Sequence, residues 1–261
     1  MTTEDIIIHI FCYVDDRMQD AHKHGNAKLY PSEVVTIGIL FALKGGRFRA
    51  FYRWLKRDYD TLFAGLPSRT RLQRLLREQQ GWCDRFLAAP SFFTVADSVP
   101  VELIFPIREG RSDQQVGKKG KDKGRWSIGI KLCWILNNLG RVVGWSWLPM
   151  NAHDQHFNDL IEQGDEQTIT LTDLGFRCQE GIPNNLKLCH KGTWNERMVI
   201  ETAFSMLNVV CHFKKIFQRV AAYIDARLAF TMAMFNVLLA LYHQLHPDQP
   251  DHQLSIAEFS L

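Results

Sequence analysis

The chain has 261 residues, 46% hydrophobic and 23% charged, with a formal net charge of +3. Length and balance are those of a globular protein with one large domain, or a core of about 150 residues plus a smaller one. They exclude a low-complexity chain, and no internal repeat stands out.

The longest apolar stretches are residues 34–43 and 228–242. Both fall short of the roughly 18 apolar residues of a membrane span, and the second carries Thr231 and Asn236. Buried core helices and no membrane partner are expected. The opening residues, MTTEDIIIHI, lack the basic region of a secretory signal, so a cytoplasmic location is expected. Six cysteines include no C-x-x-C pair. A zinc set from Cys178, Cys189, His190, Cys211 and His212 fits no standard ligand spacing, which leaves reduced thiols as the expectation.

In chain order, the first ninety residues read as helical. Pro31-Ser32-Glu33 predicts a helix start with Ser32 as N-cap, and Gly45-Gly46 a stop. RFRAFYRWLKRDYDTLF (47–63) mixes arginines with aromatics, and Pro67-Ser68 opens a short basic helix, SRTRLQRLLREQQ. This pair has the outline of a helix-turn-helix DNA reader, an outline many helix pairs share.

From residue 90 the texture is that of strands. SFFTVAD (91–97) is an apolar run ending in a carboxylate. RWSIGIKLCWIL (125–136) and RVVGWSWLPM (141–150) flank Asn137-Asn138-Leu139-Gly140, a hairpin signal. NAHDQHFNDLIEQ (151–163) predicts a helix. TITLTD (168–173) alternates Ile169, Leu171 and Asp173 with Thr168, Thr170 and Thr172. A helix over GTWNERMVIETAFSMLNVV (192–210) should start at Trp194, with Thr193 and Glu196 as a capping box. A long apolar helix follows near 224–245, then a loose Pro/Asp-rich tail. Strands followed by helices, after a helical unit, suggest an α/β core with an appended all-α domain.

Charge is segregated along the chain. Residues 44–77 carry a net +8 and residues 108–131 a net +5, which leaves −10 for the remainder. That distribution favours a polyanionic partner. The candidate phosphate contacts are Arg47, Arg49, Arg53, Arg69, Arg71 and Arg74 in the first window. In the second, GKKGKDKGRW (117–126) reads as a flexible phosphate clamp with Lys118, Lys119, Lys121, Lys123 and Arg125, and Lys131 follows on the next strand.

On a helical wheel, Trp194, Arg197, Ser205 and Asn208 fall within about 40° of Glu201. The helix thus carries one narrow polar stripe, with Met198, Val199, Thr202, Ala203, Met206, Leu207 and Val210 on its other sides. Alone, Arg197 and Glu201 read as an exposed i,i+4 pair. Asp97 and Asp173, each closing a strand-like run, change that reading, because three acids from distant positions converge most easily on a metal. Carboxylate oxygens suit Mg²⁺, and a two-metal site stabilises the attacking and leaving oxygens of phosphoryl displacement. His153 and His156 lie three apart, on what reads as a polar helix face.

ADSVPV (96–101), IGIKL (128–132), NAHD (151–154), TDLGF (172–176) and WNERMVIETAFSML (194–207), in that order, resemble the DDE transposases of bacterial insertion sequences. PSEVVTIGILFALKGGRFRAFYRWL resembles the helical domain that precedes their catalytic core. The resemblance implies a ribonuclease-H-like α/β core, a mixed sheet flanked by helices, with an N-terminal all-α domain. Residues 1–88 would bind DNA, 89–247 would form the catalytic domain and 248–261 the C-terminal tail.

It further implies that Asp97, Asp173 and Glu201 bind Mg²⁺, two ions with Mn²⁺ able to substitute, and that Arg197 orients Glu201 or a phosphate. Trp194 stands where the family has a DNA-facing tyrosine. The implied partners are double-stranded element-end and target DNA and a second copy of the chain. The chain departs from the family at Leu174 and Asn208, both lysine in the pattern. Asp154 and Asp165 are the alternatives to Asp173. Two other readings stay open: a nuclease that never joins strands, and a DNA-binding remnant without catalysis.

Overall fold

A computed structural model describes residues 1–122, 124–164, 167–179, 181–190, 192, 195–250 and 253–261, the side chain of residue 122 excepted. The expectations on Lys123, Asp165, Thr193 and Trp194 lie outside the described residues.

Four helices open the chain: α1 (Thr3–Asp16), α2 (Pro31–Lys44), α3 (Phe48–Asp58) and α4 (Arg69–Gln79). The start of α2 corrects the expected cap. Ser32 lies inside the first turn and is buried, and Tyr30 is the cap. The Glu33 carboxylate accepts the Tyr30 N–H at 2.6 Å. Pro31 takes the first helical position, where a missing N–H costs nothing. Ser68 takes the N-cap position of α4, where the helix was expected to open, without a side-chain cap bond.

Every residue from 34 to 43 is buried, because α2 is enclosed by α1, α4 and α7 (Ala221–Leu245). Gly45 ends α2 at φ +67°, and a Cβ there would lie 2.3 Å from the Cys211 carbonyl oxygen. Glycine thus serves both the turn and the close approach.

Helix α7 is long and apolar enough by length and composition to cross a membrane, but nearly nine-tenths of its most apolar stretch is buried inside the fold. Two of its buried polar side chains tie it to other elements. The buried Arg227 donates to the carbonyls of Phe41 (2.6 Å) and Ala42 (3.2 Å), closing the C-terminal end of α2. Burial lowers its pKa to about 10, so it stays charged near neutrality. Asn236 accepts the Val142 N–H and donates to the carbonyls of Phe86 and Val142, each at 2.8 Å. One buried cluster runs from α1–α4 into α7 and the sheet, so the hydrophobic core is continuous across residues 88 and 89.

Among the described residues the sheet has six strands: β1 (Phe93–Ile104), β2 (Lys118–Asp122), β3 (Arg125–Asn137), β4 (Val142–Pro149), β5 (Ile169–Thr172) and β6 (Leu186–Leu188). The order is β2-β3-β1-β5-β6, and β4 shares the outer edge of β3 with β2. β1 pairs antiparallel with β3 and parallel with β5, giving a mixed α/β sheet. One face of β3, carrying Leu132, Trp134 and Leu136, packs into the large helical core. The other, carrying Cys133 and Ile135, packs with Ala96 of β1 on Phe157, Ile161 and Phe176.

Several expectations shift. The basic segment 117–126 is not a loop: Lys118–Asp122 pairs with β3 as an edge strand. The lysines point outward, the usual guard of a sheet edge. Residues 151–163 form a 3-10 turn, Asp154–Phe157, and then only a short α5 (Asn158–Glu162). In β5 the threonine face is buried along with Leu171 of the other face. The Thr94 and Thr170 hydroxyls satisfy each other at 2.9 Å, which lets polar side chains sit inside. The tail does not stay loose to its end, because Ile256 and Phe259 are fully buried in the main core.

Replacing Asn236 by Leu takes its partner from the buried Val142 N–H and Phe86 carbonyl, while the Val142 carbonyl keeps the Ala88 N–H. We expect a loss of about 3 kcal/mol in urea unfolding, with the slope of the transition unchanged. Wild-type stability in that variant removes Asn236 as the tie between α7 and β4.

Candidate active site

The site begins with where β1 loses its parallel neighbour. β5 pairs with β1 only at Phe93, Thr94 and Val95. Continuing that register by two steps sets Asp97 beside Asp173, on adjacent parallel strands and the same sheet face. The carboxyl ends of parallel strands are where open α/β sheets expose functional groups. Asp97 is not the last residue of its strand, as its sequence context suggested. It lies inside β1, which continues to Ile104 because β3 supports it throughout.

Helix α6 (Arg197–Val210) crosses this face. It starts three residues later than expected, with Glu196 as its cap residue. Its exposed face is also wider than the predicted stripe. Met198 is 65% exposed and Thr202 is exposed, beside Glu201, Ser205 and Asn208. Only Ile200, Ala203, Phe204 and Leu207 are buried, because α6 packs on one side and leaves the other open.

Arg197 draws the acids together. Its Nε lies 3.0 Å from Glu201 Oε1, Nη1 3.5 Å from Asp173 Oδ2, and Nη2 3.6 Å from Asp97 Oδ2. The second oxygens of the aspartates are held by the backbone. Asp97 Oδ1 accepts the Ser98 N–H at 2.8 Å, and Asp173 Oδ1 accepts the Gly175 N–H at 2.9 Å. Burial pushes the Asp97 carboxyl up to about 6. The Arg197 guanidinium and the Ser98 N–H pull the other way, while Asp173 and Asp154 add to the rise.

On the opposite face of β1 and β3, Asp154 Oδ1 accepts the Ser98 hydroxyl at 2.6 Å and the Lys131 ammonium at 2.9 Å. A Cβ at Gly175 would lie 2.9 Å from Asp173 Oδ1 and 3.1 Å from Asp154 Oδ2. The glycine of TDLGF therefore lets two carboxylates flank one backbone position. Asp154 thus stands beside Asp173.

Oxygen donors of this kind fit Mg²⁺ chemically. The guanidinium holds the central position, however. Among the described residues no group of three or more His, Cys, Asp or Glu side chains is arranged to hold a metal ion as it stands. The cysteines and histidines weighed and set aside as a zinc set are not grouped as metal ligands among them. His153 and His156 line an open cleft with Leu174 and Cys178.

The other predicted residues lie apart from this cluster in kind. Arg49, Arg53, Arg69, Arg71 and Arg74 are exposed on α3 and α4, Arg47 caps α3, and Arg71 pairs with Glu78 at 3.6 Å. Lys118, Lys119 and Lys121 are exposed on β2, as is Arg125 at the start of β3. Lys131, expected to meet DNA, is half-buried and committed to Asp154. Sequence reasoning missed Ser98, whose place beside Asp97 in ADS was the available signal. Compared with models of known families and with curated proteins, the chain matches none.

Because Asp97 binds its proton more tightly folded than unfolded, its contribution is full below about pH 4 and is lost as pH rises through 6. The Asp97→Asn variant should be more stable than wild type at pH 7, by on the order of 2–3 kcal/mol. That difference should vanish at pH 4 in urea titrations run with a chelator. Equal stability of the two proteins at pH 7 contradicts the buried placement of Asp97.

Proposed function

We propose that this chain is a DDE-type transposase of an insertion sequence, acting on double-stranded element ends and target DNA. The observation that carries the reading is the convergence of Asp97, Asp173 and Glu201 on one guanidinium, at the end of a parallel strand pair. A mixed sheet with β1 parallel to β5 and antiparallel to β3 is compatible with the ribonuclease-H-like core that the resemblance implies.

Asp97, Asp173 and Glu201 would hold Mg²⁺, which supplies charge stabilisation to the attacking and leaving oxygens of in-line phosphoryl displacement. Arg197 neutralises and orients these carboxylates until a cation takes its central place. The exposed arginines of α3 and α4 and the lysines of β2 bind phosphates of the duplex, giving affinity that falls with salt. Water cleaves a phosphodiester at the element end and frees a 3′-OH. That hydroxyl then attacks a target phosphodiester, one bond forming as another breaks. Two ends need two active sites, so a homodimer on DNA is part of the proposal.

A DNA-binding regulator without catalysis is the second reading. It is favoured by Arg197 standing among the acids and by Leu174 and Asn208 in place of lysines.

Singly, Asp97→Asn, Asp173→Asn and Glu201→Gln should each lower Mg²⁺- or Mn²⁺-dependent cleavage of element-end DNA at least about 100-fold, with duplex binding retained. Cleavage retained in one variant removes that residue from the triad. A wild type that binds duplex but never cuts supports the regulator. Cutting without strand-transfer product supports a nuclease.

A further inference from the structure

The two basic windows of the sequence meet at a second place. A groove of about 480 Å³ lies between the start of α3 and the far end of β1. There the segment 214–216 zips onto the edge of β1: the Glu102 N–H donates to the Lys214 carbonyl at 3.1 Å, and the Ile216 N–H to the Glu102 carbonyl at 3.0 Å. Arg47 comes from the first window, Arg108 from the second, and Lys215 and Arg219 from neither.

Aromatic rings are interleaved with these cations. Phe105 is 53% exposed and Phe217 37%. The Lys215 ammonium lies 3.4 Å from the centre of the Phe105 ring, and the Arg47 guanidinium 5.2 Å from that of Phe217. Glu102 is bonded to Lys215 and cancels only that charge, which leaves three arginines in excess.

Duplex DNA presents phosphates but hides its base faces. Open phenyl rings beside guanidinium groups suit a strand whose bases are unpaired, because base–aromatic stacking tolerates any base and the cations track the backbone. We propose that this groove binds single-stranded DNA, with a base on Phe217 or Phe105 and phosphates on Arg47, Arg108 and Arg219.

Leu103 of the groove lies six residues along β1 from Asp97, about 20 Å. That is about six base steps of a duplex, so one strand reaches both places. The choice of DNA rests on the function proposed above; the preference for unpaired bases rests on the groove alone.

The test is fluorescence polarisation with a labelled oligothymidylate of about 12 nucleotides, its duplex and the matching RNA. Phe217→Leu keeps apolar bulk and removes the ring. It should weaken single-strand binding about 5- to 100-fold, as stacking of one base implies, and change duplex binding less than about 2-fold. The double variant Arg108→Glu and Arg219→Glu, at two exposed positions, should abolish single-strand binding even if Phe217→Leu folds poorly.

Unchanged single-strand binding in both variants overturns the proposal. So does an equal loss on duplex, which marks a general phosphate surface, or a preference for RNA. Failure of the wild type to cut element ends, with single-strand binding intact, instead overturns the transposase reading.

Discussion

Strand β1 is the constraint on which the molecule is arranged. One of its edges is bonded to β3 along nearly its whole length, from Thr94 to Ile104. Its other edge is shared: β5 takes the first three residues, and the segment 214–216 takes the position of Glu102. Between those two attachments no strand completes the ladder among the described residues, and α6 crosses the open stretch. Side chains on the exposed part of the edge are therefore free to serve chemistry while the backbone stays anchored by β3. Asp97 occupies that stretch, and the basic groove forms where it closes.

Like charges do not gather without a counter-charge. Asp97 sits where burial alone drives its proton affinity up, and Asp173 and Asp154 push it further. Arg197 offsets part of that cost, reaching one carboxylate on its own helix and two on the sheet. A group that holds three acids in place by charge is one that a divalent cation, with more charge and smaller size, can replace. Asp154 differs in having one oxygen held by Lys131 and Ser98 on the other face, while its second oxygen faces Gly175 beside Asp173.

Much of the fold was legible where a local rule coincides with the tertiary demand. The glycine stop after α2, the hairpin between β3 and β4 and the run that became α7 all follow from turn chemistry or uninterrupted apolar content. Periodicity misled where neighbours decide burial. Thr170 of β5 sits inside with its hydroxyl bonded to that of Thr94 on β1. Met198 and Thr202 are outside because nothing packs over that side of α6 among the described residues. The helix expected over 151–163 is a 3-10 turn and a short α5, and Asp154 at its start is bonded to Ser98 of β1.

By itself the sequence determined which groups are available: three acids and an arginine at spacings of interest, two basic windows, and apolar stretches sufficient for one continuous core. Those are covalent facts, and local propensities act on them directly. The tertiary structure alone decided which acid stands beside which, that Arg197 lies among all three, that Lys131 is spent on Asp154, and that the two basic windows share a groove with Phe217. Each of these depends on strand register and on how α6 and the segment after it lie across β1, and no periodicity within a single segment encodes a pairing between two.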